Sequence, residues 1–216
     1  MSRVRRSLGV VHIVFAPDPP VVAATRAAAL GFDHIDIPAT VDDELVLPVG
    51  DRISPGRAVP GCSTPAPARP TDDDAADTLW DRAVGWYRAA PGMVLEPWGG
   101  SICNTVERVR AMLDAVPGLR LLVDTGHVAG WGEDPCDLLP WAAHVQLRQA
   151  REGVVQLHPD DGGDVDFRVV LDTLEALEYP GLLSVEYFDL PEFGFPLDDP
   201  VGCSVALAEQ IRPLLR

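Results

Sequence analysis

Apolar runs of strand length recur along this chain between stretches whose apolar positions return every three to four residues. That alternation is expected of an α/β fold with a parallel sheet. LGVVHIVFA (8–16) predicts a strand, the alanine-rich VVAATRAAALGF (21–32) a helix, and DHIDIP (33–38) the next strand. In the second half MVLEPW (93–98) precedes TVERVRAMLDAV (105–116), where Val106, Val109, Met112, Leu113 and Val116 share one helical face. Asn104 with Glu107 three residues on resembles a helix-start box. LRLLVDTGH (119–127), a short helical DPCDLLPWA (134–142) and AHVQLRQ (143–149) follow. VDFRVVLDTLEALEY (165–179) places Phe167, Val170, Leu171, Leu174 and Leu177 on another face, with Asp166 as its cap. LLSVEYFDL (182–190) is the last strand, and VALAEQIRPLLR (205–216) closes as a helix.

Residues 39–75 differ. Rich in Pro, Gly, Ser and Asp, they offer short strands, LVLPV (45–49) and GRAVPGCS (56–63), and no convincing helix before DDDAADTLWDRAVGWYRAA (72–90) restores the alternation. Seven or eight strands result. The expected fold is therefore α/β, a (β/α)8 TIM-type barrel, shortened relative to the usual ~250 residues because helices are missing in its first half. With 216 residues, 47% of them hydrophobic, residues 1–216 read as one domain.

Composition narrows the function classes. The formal charge is −16, and all 17 basic residues are arginines. Such a surface repels phosphate backbones and anionic lipid, so neither nucleic acid nor membrane is expected as a partner. The absence of lysine rules out lysine Schiff-base chemistry. Cys62, Cys103, Cys136 and Cys203 are too far apart in sequence to suggest a zinc knuckle or disulfide framework. The opening MSRVRRSLGVVHIVFA lacks the features of a signal peptide, and nothing reaches the ~20 apolar residues of a membrane span, so a cytoplasmic location is expected.

AHVQLRQ is oddly polar for a buried strand. Glu96 in MVLEP, Asp124 in LLVDTGH, Gln146 in HVQL and Glu186 in LSVEY all stand at or near the C-terminal ends of apolar strands. In a parallel barrel those ends open onto one face. Three carboxylates gathered there repel one another unless a cation joins them, and an all-oxygen set favours Mg²⁺ or Mn²⁺. His144, two residues before Gln146, shares its strand face one layer deeper and reads as a core histidine. Trp98 and Trp131 could wall the site, and Arg151 and His158 lie in the loop beyond Gln146.

The segments LEPW, VDTGH, HVQL, DGGDVDF and EYPGLLSVEY resemble the xylose isomerase-like TIM-barrel family of sugar isomerases and epimerases (sugar phosphate isomerase/epimerase). Many relatives have a histidine where Gln146 stands, in a motif close to HVHLKD, with an acid at the place of Gln149. The hydroxypyruvate isomerase branch is similar in carrying glutamine there. The resemblance implies that Glu96, Asp124, Gln146 and Glu186 ligate the metal, that Glu96 and Glu186 form the acid/base pair, and that His127 contacts a substrate oxygen. It implies a divalent-metal-dependent isomerase or epimerase of a small keto or aldo sugar, or of a hydroxy-keto acid, working through an enediolate in carbohydrate metabolism. The expected partner is the small sugar-like substrate, and a homo-oligomer is left open. A lyase or dehydratase using the same metal site, or a non-catalytic partner subunit with a degenerate barrel, are the alternatives. A zinc endonuclease acting on abasic DNA shares the barrel, but the negative charge opposes it.

Overall fold

The structure is a computed structural model that describes residues 6–37, 54–55 and 63–215. Among the described residues eight strands form one sheet: β1 (Leu8–Val11), β2 (His34–Asp36), β3 (Ser54–Pro55), β4 (Ser63–Pro65), β5 (Val94–Glu96), β6 (Arg120–Asp124), β7 (Ala142–Leu147) and β8 (Leu183–Val185). Their order is β3-β2-β1-β8-β7-β6-β5-β4, every pairing is parallel, and the first strand pairs with the last. That is the topology of a (β/α)8 barrel, with no ladder between β3 and β4 among the described residues.

Among the described residues six α-helices supply the crossovers: α1 (Pro20–Ala29), α2 (Asp73–Ala89), α3 (Val106–Ala115), the short α4 (Thr125–Gly130), α5 (Phe167–Ala176) and α6 (Pro200–Ile211). Among the described residues none lies between β2 and β4, where the chain was expected to be short of helices. LVLPV falls outside the described residues, as does GRAVPGCS up to Ser63, where β4 begins.

Local chemistry sets the helix ends. Asp72 accepts from Ala75 N at 2.8 Å, and Asp166 caps α5 as expected, accepting from Arg168 N and Val169 N. The predicted box at Asn104 is displaced by one residue. Thr105 is the cap, its hydroxyl accepting from Arg108 N at 3.1 Å, while Glu133 reaches across to take Val106 N at 2.8 Å. Leu177, predicted for the buried face of α5, follows that helix as its C-cap and is exposed. The first apolar run overstates strand length, since HIVF after β1 turns into a 3-10 helix, and the expected short helix DPCDLLPWA forms two 3-10 turns.

Strand alternation divides the barrel chemically. Leu8, Val10, Ile35, Leu95, Leu121, Val123, Val145, Leu147, Leu183 and Val185 are fully buried and belong to the main core. The residues of opposite parity point to the other side of the sheet. On the last four long-range strands these are Val94 and Glu96, Leu122 and Asp124, His144 and Gln146, Ser184 and Glu186, with His34 and Asp36 on β2. One face of the sheet is therefore apolar and covered by helices. The other carries a deeper layer (His34, Leu122, His144, Ser184) below an upper layer made of Asp36, Glu96, Asp124, Gln146 and Glu186.

Candidate metal centre and pocket

The upper layer is built around Asp124. As the last residue of β6 and the N-cap of α4, its Oδ1 accepts from Gly126 N at 2.7 Å and from His127 N at 3.3 Å. Its Oδ2 accepts from Arg148 Nη2, and both side chains are wholly enclosed. Thr125 then ties β6 to β7: its hydroxyl donates to Arg148 O and accepts from Arg148 N, both at 2.9 Å. Gly126 is needed beside it, because a Cβ there would lie 2.5 Å from Arg148 Nε and from the Val155 carbonyl oxygen.

One ligand atom each from Glu96, Asp124 and His127 can be chosen so that all lie within 4.8 Å of one another. Gln146 donates through Nε2 to Glu186 Oε1 at 3.4 Å. Glu96, Gln146 and Glu186 together line a cavity of about 330 Å³. The strand-end residues predicted from sequence therefore do gather at one end of the barrel, and His127 stands with Glu96 and Asp124 rather than in an open loop.

Electrostatics favour an added cation. Burial first, then the charge of Asp124, raise the Glu96 pKa to about 7 against the opposing pull of Arg148. Burial and Asp124 likewise hold Glu186 well above the ordinary carboxylate range, with Arg148 opposing and Glu96 adding to the rise. Burial lowers His127 to about 4, so its ring is neutral and able to donate a lone pair. Gln146 Oε1 and His127 Nδ1 are buried without hydrogen-bond partners. An orphaned amide oxygen and an orphaned ring nitrogen beside three carboxylates are the donor chemistry of a divalent cation, so these residues fit one.

Arg148, bonded to Asp124, is a residue that the sequence left without a role. Among the described residues it is the largest fully buried side chain, its guanidinium carbon lies 4.5 Å from the Phe188 ring centroid, and its Nε and Nη1 lack partners. The signal was its parity with His144 and Gln146 in HVQLR. Asp36 was also missed, although it ends a strand as Glu96 does. Gln149, standing where relatives were expected to carry an acid, instead holds the following loop: its Oε1 accepts from Val165 N and its Nε2 donates to Val165 O, each at 3.1 Å. Of the other candidates, Trp98 donates through its indole N–H to Ala66 O at 2.7 Å, and Trp131 packs beside Gly99. Arg151 is exposed, and His158 Nδ1 accepts from Asp160 N at 3.2 Å.

With this fold and site, the chain belongs to the xylose isomerase-like TIM barrel family, whose model matches residues 80–200. Among solved structures it is similar to a 3-keto-D-glucoside 4-epimerase from E. coli, at 16% identity and a TM-score of 0.64, covering 96% of this chain and 99% of that one. It is also similar to an L-ribulose 3-epimerase (15% identity, TM-score 0.65, 97% and 94% covered). A probable 3-DHS dehydratase from Bacillus anthracis follows the same fold (13% identity, TM-score 0.61, 95% and 98% covered). No curated protein matches the chain by sequence. Among the described residues, no helix is long and apolar enough to cross a membrane.

Proposed function

We propose that the protein is a divalent-metal-dependent isomerase or epimerase of a small keto or aldo sugar. The observation that carries this reading is a pair of carboxylates, the half-buried Glu96 and the buried Glu186, lining one cavity with Gln146 beside a triad able to hold a cation. The sugar epimerases among its structural neighbours support the substrate class.

Glu96, Asp124, Gln146 and Glu186 would hold Mg²⁺ or Mn²⁺, with His127 against the same centre. When bound, the ion polarises a carbonyl oxygen and stabilises the negative charge that develops on it as a neighbouring proton leaves. Asp124 is held rigid by Gly126 N and His127 N, so it orients without reorganising. One of Glu96 and Glu186 removes the proton from the carbon beside the carbonyl, and the other returns a proton to the adjacent carbon or the opposite face. A positioned acid/base contributes ~10²- to 10⁴-fold. His127 donates to or accepts from a substrate oxygen. Gln146 in the place of a histidine is the feature that links this site to the hydroxypyruvate isomerase branch.

The test is incubation of the Mn²⁺-loaded protein with a panel of ketoses in D₂O. Deuterium incorporation at one carbon, abolished in Glu186→Gln and Glu96→Gln, is the expected result. The dehydratase neighbour keeps a lyase in view, since elimination begins with the same proton abstraction. Loss of water or of a substituent in place of exchange would assign that reaction, and protein inert towards every sugar and metal would leave the partner-subunit reading.

A further inference from the structure

The cavity has a second polar end that the proposed chemistry does not use. Asp36, at the end of β2, and His144, in the deeper layer of β7, line it together with Glu96, Gln146 and Glu186. Both are at least 98% buried, and His144 Nε2 donates to Asp36 Oδ2 at 2.8 Å. Two atoms of this pair, Asp36 Oδ1 and His144 Nδ1, have no hydrogen-bond partner. His34 does not serve them. Its ring passes over Gly9, where a Cβ would lie 2.2 Å away, to place Nε2 3.1 Å from Ser184 Oγ, with Nδ1 3.0 Å from Ser7 Oγ. Both of its nitrogens are thereby engaged, and Asp36 Oδ1 is 3.7 Å distant, beyond hydrogen-bond range.

The chemistry of the free atoms is specific. Asp36 Oδ1 is an acceptor, and so is His144 Nδ1 in the tautomer that gives Nε2–H to the carboxylate. Unpartnered acceptors in a buried site call for hydroxyl hydrogens. A carboxylate or phosphate brings no hydrogen and meets the Asp36 charge, and among the described residues that line the cavity there is no arginine. Arg148 is fully enclosed, bonded to Asp124 through Nη2, and is not among the residues that line the cavity. His144 and Gln146 are two residues apart on one strand, so their backbones are separated by about 6.6 Å along it.

We propose that the Asp36–His144 pair is a hydroxyl-reading subsite, which binds the end of a neutral polyhydroxylated substrate remote from Glu96 and Glu186 and rejects an anionic end. This rests on the isomerase reading for the other end of the substrate. It selects, among the substrates that reading admits, a free sugar over a sugar phosphate or a short keto acid.

The probes are ribitol and ribitol 5-phosphate, unreactive and different at one end only, titrated calorimetrically into the Mn²⁺-loaded protein. Ribitol is expected to bind at least tenfold more tightly than its phosphate. Asp36→Asn keeps an oxygen to accept from His144 but puts a donor in place of the free acceptor and removes the charge. It is expected to weaken ribitol about tenfold, reduce the preference over the phosphate, and leave the Mn²⁺ Kd unchanged. His144→Gln should weaken ribitol similarly. The proposal is overturned if the wild-type protein binds the phosphate as well as ribitol or binds no ribitol. It is equally overturned if folded Asp36→Asn keeps both affinities. The wild-type comparison decides even if neither variant folds. Absence of deuterium exchange with every ketose, alongside intact ribitol selectivity, would sink the isomerase reading and leave the subsite standing.

Discussion

Replacing Arg148 with methionine tests the electrostatic core of the site. The guanidinium is the only cation bonded to Asp124 among the described residues, and both side chains are wholly enclosed. Methionine retains the apolar stem over Phe188 but leaves Asp124 facing Glu96 and Glu186 without a counter-charge. Breaking one side of a buried pair costs ~3–5 kcal/mol, and in a chain of this size each kcal/mol moves Tm by ~2–4 °C, so a fall of about 6–20 °C is expected without metal. Asp124 keeps its bonds from Gly126 N and His127 N, which favours the lower half of that range. In Mn²⁺ the sign of the comparison changes. Three carboxylates and one arginine leave a centre of charge −2, which a divalent ion neutralises. Without the arginine the ion meets −3 and an Asp124 oxygen free of competition. Arg148→Met should therefore gain more Tm from Mn²⁺ than the wild type does, as differential scanning fluorimetry in EDTA and in a Mn²⁺ series would show. A variant as stable as wild type in EDTA, or one gaining less from Mn²⁺, would refute the reasoning.

Other consequences follow from the same geometry. In EDTA, Glu96 takes up a proton on folding, so its contribution is complete below pH 4.5 and is lost as pH rises through about 7. His127 contributes in the opposite sense, its part being present above pH 6.5 and lost as pH falls through about 4. Glu96→Gln should consequently be more stable than wild type at pH 8 and not at pH 4.5, in thermal melts without metal. Gly126→Ala should lower Tm, since the new Cβ would stand 2.5 Å from Arg148 Nε and from a backbone oxygen that cannot swing aside; overpacking of this kind costs ~1–3 kcal/mol. The formal charge of −16 predicts that added NaCl raises Tm by screening self-repulsion; a flat or falling melt between low and high salt would contradict it.

The barrel was legible because strand-length apolar runs alternate with helical periods. Parity in HVQL, LLVD and LSVE separates apolar side chains, which pack under helices, from polar ones, and the acids at strand ends then fall on one rim. The same parity applied to HID would have found Asp36, but an acid two residues after a histidine on a short strand carries little signal without its partner on β7. Arg148 was hidden for a different reason. Enclosure of an arginine depends on Asp124, Thr125 and Phe188, which are distant in sequence and meet it only in three dimensions. Cap positions such as Thr105 in place of Asn104 depend on Glu133, again from another element. Residues 39–75 gave short apolar runs without a period, and the expected LVLPV strand lies outside the described residues.

The central claim is that one divalent ion is held by side chains from four separate strands. A crystal grown with Mn²⁺ and measured at the manganese absorption edge tests it most directly. The account predicts a single anomalous peak about 2.0–2.3 Å from oxygens of Glu96, Asp124, Gln146 and Glu186. A protein without a peak at that rim, or with manganese bound elsewhere while Arg148 still occupies Asp124, would contradict it.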